Sequence, residues 1–267
     1  MGSSSGVNKS AYDVLSVLKA FASLPDEASL SEITTSVGLS KVKVCRALKT
    51  LVHAGFAEQN EETRKYRLHY ALLDLSSKLL SSRNMNVAGR KILEELSDAV
   101  KEDITVAVPD KDAGQIVFVD RIRGASRISF FCDVGKRLPL HVGAAAKAIL
   151  AYLPEAEFED YLAHFQPVKI SPFTIVSPEE LRKQRRSIRK SGYSISNQEV
   201  DEGVSAVGAC ILDIQGVPSA GIAVTSLTVK MDRKTVDAIG EKLKKAVREI
   251  SIRLGCSKET YETYTRF

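Results

Sequence analysis

Four cations along one short stretch are the side chains best suited to chemistry in this 267-residue chain. They are Lys41, Lys43, Arg46 and Lys49, in KVKVCRALKT, with no carboxylate among them. Such groups neutralise phosphate oxygens and donate to guanine edges, so the chemistry on offer is non-covalent recognition of nucleic acid. Ser40 and Lys41 at the start of the stretch are expected nearest the floor of a DNA major groove, together with Lys43 and Arg46. Arg64 and Lys65, in EQNEETRKYRL, are further candidate phosphate contacts. Taken alone, four cations on a helix are better read as a solvated face.

The elements that must position them change that reading. Ser29 and Glu32 have the spacing of a capping box, and Leu30, Ile33 and Val37 then recur at helical spacing, with Gly38 as the stop. Ser40 is a suitable cap for the next helix, whose Val44, Leu48 and Leu51 form the buried stripe before Gly55. Phe56-Ala57-Glu58 and Tyr66-Arg67-Leu68 alternate as two short strands around a polar turn containing Asn60. Together these predict a helix-turn-helix with a β wing, bound to double-stranded operator DNA. Upstream, Val7, Ala11, Val14, Leu18 and Phe21, widened by Leu15 and Ala22, supply more apolar helix surface than three helices need. The surplus is expected to pair two copies as a homodimer.

Length and 44% hydrophobic content suit two domains with real cores. The net charge of +5 and pI near 8.9 permit contact with nucleic acid without proving it. Residues 1–80 hold ten Lys and Arg against eight Asp and Glu, so the DNA argument rests on local clustering. No apolar run of about 18 residues and no charged-then-apolar leader is present, so a cytoplasmic protein without membrane contact is expected. Residues 1–6, MGSSSG, resemble an added tag and carry no fold information.

Other chemistries find little support. Cys45, Cys132, Cys210 and Cys256 form no CxxC pair, and His53, His69, His141 and His164 show no HExxH spacing, so neither metal nor cofactor is expected. There is no G-x-S-x-G, P-loop or G-x-G-x-x-G after a strand, and no catalytic residue is assigned. Glu199, Asp201 and Glu202 are close in sequence, but carboxylates in a turn are usually solvated. The basic run 182–190 follows a capped start at Ser177-Pro178-Glu179-Glu180 and reads as a solvated helix face rather than a second DNA site.

Further along, residues 70–83 read as a connecting helix through Leu72, Leu75 and Leu79, with a break at 83–86. Helices are expected at 87–100, 144–153, 155–165, 178–190 and 232–254, and strands at 104–108, 115–122, 193–196, 204–213 and 218–226. The fold class is therefore α+β. The domains are a DNA-binding unit over 7–69, a linker helix over 70–86 and a mixed α/β domain over 87–257.

Residues 138–155, LPLHVGAAAKAILAYLPE, and 192–213, GYSISNQEVDEGVSAVGACILD, resemble the two signature stretches of IclR-type regulators, and the winged N-terminal half resembles that family too. The resemblance implies a GAF-like effector-binding domain of about six strands flanked by helices, and homodimers that pair into tetramers. It places the effector at Ala144 and Ala145 in the small-residue turn, at Ser196 and Ala206 in the second signature, and at Ala223 and Thr225 in GIAVTS. From the residues alone, Gly143-Ala144-Ala145-Ala146 reads as close helix-to-sheet packing. Members that sense small oxoacids carry an acid at the Ser196 position, a thiol at Ala206 and hydroxyls at Ala223 and Thr225; here only Thr225 keeps its hydroxyl. With Ile128, Phe130, Phe131 and Leu138 near in sequence, the expected effector is a larger, partly apolar carboxylate, aromatic acids included. A DNA-binding protein whose second domain only oligomerises is the alternative; an enzyme is the weakest reading.

Overall fold

The computed structural model describes residues 6–82, 85–125 and 132–265, and the chain divides into two compact units, Met1–Ser82 and Arg83–Phe267. In the first, Asn8 caps α1 (Lys9–Ala20) by accepting from the Ala11 amide at 3.1 Å. The capping box forms at α2 (Leu30–Val37): Ser29 N donates to Glu32 Oε2 at 2.7 Å, and Glu32 N donates to Ser29 Oγ at 3.3 Å. That bond to Ser29 holds the Glu32 carboxyl below the usual carboxylate range. One turn later α3 spans Lys41–His53, and Val44, Ala47, Leu48 and Leu51 close over Val17 and Ile33. Ser40 sits at the cap position with extended backbone, but its side chain makes no capping bond, contrary to the sequence reading. The wing is β1 (Ala57–Gln59) paired antiparallel with β2 (Tyr66–Leu68), anchored by a bridge from Tyr66 to Ala28. A fourth helix, α4 (Ala71–Ser82), ends the unit.

The apolar face foreseen around α1 is only partly covered. Phe21 is buried and Val14 and Leu18 pack against the core, whereas Val7, Ala11, Leu15 and Ala22 are exposed.

In the second unit α5 (Met85–Val100) leads into β3 (Asp103–Asp110) and β4 (Gln115–Ile122). The three-residue β5 (Arg137–Pro139) follows, too short to show in the sequence pattern. Helices α6 (Ala144–Tyr152), α7 (Glu155–Ala163) and α8 (Pro178–Ser191) precede β6 (Ser194–Asn197), β7 (Val204–Leu212) and β8 (Pro218–Leu227). The chain closes with α9 (Arg233–Arg253) and α10 (Lys258–Thr265), the last not anticipated. Among the described residues these six strands form one antiparallel sheet in the order β5-β4-β3-β8-β7-β6.

Both sheet faces are covered, so its strands read as nearly continuous apolar runs rather than strict alternation. Ile222 and Val224 of β8, with Val207 and Ile211 of β7, pack beneath α5 and α9. Ala223 of β8 and Cys210 of β7 face the α6 side. Glycine lets α6 lie on the sheet: a Cβ at Gly208 would stand 2.5 Å from the Ala144 carbonyl carbon, and one at Gly221 would strike the Ala145 carbonyl oxygen. Gly208→Ala should therefore cost at least the roughly 1–3 kcal/mol of an overpacked core, because backbone rather than a flexible side chain must move. Denaturant unfolding reads this directly, and an unchanged midpoint would contradict the packing.

The run 182–190 departs from the solvated face expected of it. Arg185 is only 7% exposed; its guanidinium lies 4.1 Å over the Phe158 ring. It donates to the Ala151 carbonyl at 3.2 Å, to the Leu153 carbonyl at 2.9 Å and to Glu155 at 2.6 Å. Arg189 adds a 2.8 Å bond to the Ala151 carbonyl. Two cations thus satisfy the carbonyl end of α6, where the helix dipole favours positive charge.

Candidate functional site

Ser40 at the start of α3, and Lys41, Arg46 and Lys49 on it, are exposed on the side away from the core. Lys43 is tethered: its Nζ lies 2.9 Å from Asp13 Oδ2, so the helix lacks acids of its own but borrows one from α1. Val42, at 62% exposure, shares a helical face with Arg46 and Lys49 and was overlooked. An apolar residue solvated between cations is the signal that would have found it, since aliphatic groups meet the thymine methyl.

At the wing tip, Asn60 Oδ1 accepts from the amides of Glu62 at 2.9 Å and Thr63 at 3.1 Å. This turn leaves Arg64 in the left-handed region at φ 57° and presents Arg64 and Lys65 to solvent, alongside Glu61 and Glu62. The wing tip is thus not a uniformly positive surface. Arg67 is paired with Glu58 and with Glu27 instead.

In the second unit a cavity of about 330 Å³ opens between the start of α6 and the sheet. Leu138, Ala144, Ala145, Ser196, Ala206, Ala223 and Thr225 all line it. Ile128 and Phe130 lie outside the described residues. Strand register explains the convergence: Ser196, Ala206 and Thr225 are successive cross-strand partners on β6, β7 and β8, and Ala223 lies opposite Thr105 on β3. Small residues in these two rows leave room under α6, and hydroxyls at Thr105, Ser196 and Thr225 edge it. The apolar walls include Ile116, Phe118, Val142 and Val200, and Cys132 and Asp201 line it as well. Thr105, Ile116, Phe118, Cys132, Val142, Val200 and Asp201 are among the lining residues that were missed; the β3–β4–β8 register that brings the first three in is not visible in local sequence. Burial pushes the Cys132 thiol above its usual range.

The first-turn amides of α6 have no intrahelical acceptor, and Gly143 contributes no capping side chain. What moors this turn is a buried ion pair. Lys147 Nζ donates to Glu199, to Gln184 Oε1 at 2.8 Å and to the Ile195 carbonyl at 2.6 Å. Glu199 also accepts from the Gly143 amide at 3.2 Å, and its own carbonyl accepts from Thr174 Oγ1 at 2.7 Å. Side-chain exposures are 1% for Lys147 and 4% for Glu199, so Glu199 is not the solvated carboxylate the sequence suggested. Burial lowers the Lys147 pKa and raises that of Glu199; their mutual attraction opposes both shifts.

His141 belongs to the core. One ring nitrogen lies 2.9 Å from the Tyr161 hydroxyl and the other 3.1 Å from the Val168 carbonyl, and burial lowers its pKa. Among the described residues no group of three or more His, Cys, Asp or Glu is arranged to hold a metal, and no helix is long and apolar enough to cross a membrane.

Comparison with known proteins agrees with this architecture. Residues 14–61 match the IclR helix-turn-helix domain, and residues 77–252 match the C-terminal domain of the bacterial transcriptional regulator IclR. The HTH-type transcriptional regulator KipR of Bacillus subtilis is 26% identical over 248 residues, covering 93% of this chain and 98% of KipR. Among solved structures, the IclR of Thermotoga maritima superposes with a TM-score of 0.75 at 26% identity, covering 92% of this chain and 98% of that one. An IclR homologue from Microbacterium hydrocarbonoxydans, solved in complex with 4-hydroxybenzoate, superposes at 0.79 with 21% identity, covering 92% and 99%. These relatives are regulators rather than enzymes, and the C-terminal match alone takes in more than half of the sequence. The chain belongs to the IclR family of bacterial transcriptional regulators, with a DNA-binding domain followed by an effector-binding domain.

Proposed function

We propose that this protein is a ligand-responsive regulator whose effector is a small, partly apolar carboxylate, aromatic acids foremost, held in the cavity beneath α6. The observation that carries this reading is the lining: apolar walls from Ile116, Phe118, Leu138 and Val142, edged by three hydroxyls, beside an uncapped helix start. A carboxylate placed at the first-turn amides of α6 gains the favourable end of the helix dipole, while a ring rests against Phe118 and Leu138. Asp201 at the rim repels a second carboxylate and accepts from a hydroxyl on the far side of the ring. The 4-hydroxybenzoate complex of the Microbacterium homologue supports the same ligand class.

The DNA contacts in this reading come from Ser40, Lys41, Arg46 and Lys49, with Lys43, Arg64 and Lys65 in supporting positions. Residues 7–69 form the DNA-binding domain, 70–86 the linker and 87–257 a GAF-like effector domain. The exposed face of α1 pairs two chains, dimers pair into tetramers, and the protein works in the bacterial cytoplasm on operator DNA. Effector binding shifts the balance between two spacings of the DNA-binding heads by its differential affinity for them.

Thermal unfolding against 4-hydroxybenzoate, benzoate, glyoxylate and pyruvate tests the ligand class. An effector at about 100 times its dissociation constant adds roughly 2.7 kcal/mol, a shift of several degrees. The aromatic acids should produce it and glyoxylate should not. Stabilisation by glyoxylate with silent aromatic acids would overturn the ligand class. A silent panel would favour a C-terminal domain that only oligomerises.

A further inference from the structure

On the opposite face of the sheet a second cavity, of about 440 Å³, lies between the end of α5 and the first half of α9. Alternation along β8 turns Ala223 and Thr225 toward the effector cavity and Ile222, Val224 and Ser226 toward α9. Ser226 is 2% exposed, and its hydroxyl meets no hydrogen-bond partner among the described residues. Its cross-strand neighbour Ser205 is satisfied, with Asn197 Oδ1 at 3.1 Å and Thr228 Oγ1 at 2.9 Å. An orphaned buried hydroxyl is desolvated without compensation, a cost that an aliphatic residue at this position would avoid.

The cavity it lines is basic. Lys230, Lys234 and Lys242 border it against one carboxylate, Glu102. Lys230 Nζ lies 3.2 Å from Glu102, and Lys242 Nζ donates to the Ala99 carbonyl at 3.0 Å; an ammonium carries three donors, so each retains capacity. The Thr235 amide at the start of α9 is already taken by Asp232 at 2.7 Å, so the positive character comes from the lysines and not from the helix end.

We propose that this cavity is a second ligand site, for a small oxyanion whose oxygen accepts from the Ser226 hydroxyl and whose charge meets Lys234 and Lys242. Phosphate and carboxylate share that chemistry, and the test separates them. The site does not depend on the ligand class assigned to the first cavity.

Hydrogen–deuterium exchange on the full chain should be followed in sodium phosphate and, separately, sodium acetate, each against chloride at constant ionic strength. Saturable protection of residues 226–242 at millimolar anion is expected. Protection by phosphate alone assigns the site to phosphorylated ligands, and protection by acetate as well extends it to carboxylates. Ser226→Ala and Lys234→Gln should each weaken the apparent affinity about tenfold or more. Ser226→Ala should unfold no earlier than the parent, which separates ligand loss from misfolding. Two results would overturn the site: no anion-dependent protection of this segment, or equal protection in both variants.

Discussion

Replacing Glu199 by alanine should lower the stability of the effector-binding unit by roughly 3–5 kcal/mol, the largest single-residue effect expected in the molecule. The substitution strands the Lys147 ammonium, whose side chain is 1% exposed, and also removes the acceptor of the Gly143 amide. For a unit of this size the melting temperature should fall by about 10 °C. The double replacement Lys147→Met with Glu199→Leu should recover most of that loss, because removing both charges also removes their desolvation penalty. Chemical denaturation of the three proteins decides the matter. If Glu199→Ala fell within 1 kcal/mol of the parent, the pair would not be buried as described.

Arg46→Ala should weaken operator binding about tenfold or more, within the 1–3 kcal/mol range of a base-edge contact, and Lys41→Gln should act in the same direction. Removing one cation that neutralises a DNA phosphate should reduce the slope of log affinity against log salt by about 0.9. Lys43→Gln should have the smaller effect, since its side chain is only 42% exposed and its ammonium is already shared with Asp13. Anisotropy titrations across a salt series separate these outcomes. Effector affinity should be unchanged in all three variants, because no α3 residue lines the cavity beneath α6. Equal DNA affinity for Arg46→Ala and the parent would remove that face of α3 from the contact surface.

What the sequence made legible was local. The Ser29–Glu32 capping box and the Val44, Leu48 and Leu51 stripe depend on spacings of three and four residues, and both formed as read. The cavity beneath α6 was reached by resemblance to a family, and the seven described residues so named do line it together. Residue chemistry alone had favoured close packing for Ala144 to Ala146, and the structure shows packing and cavity wall together: Ala144 and Ala145 approach Gly208 and Gly221 while also lining the cavity.

What stayed hidden depends on tertiary placement. Lys43 meets Asp13 across 30 residues, and Lys147 meets Glu199 across 52. No periodicity links such positions. The basic run on α8 looked solvated because nothing near it in sequence indicates that Arg185 and Arg189 meet the carbonyl end of α6. Ser40 shows a related limit: residue type marked the cap position correctly, but its hydroxyl makes no capping bond.

One ligand is expected to change how tightly this protein holds DNA. The affinity for a duplex selected from a random library, measured by anisotropy with and without 4-hydroxybenzoate, reads that change. A coupling of 1–3 kcal/mol between the two sites predicts a change of about 5- to 150-fold in dissociation constant. The reciprocal change should appear in ligand affinity when DNA is present. A ligand that raises the melting temperature yet leaves DNA affinity unchanged would contradict the account.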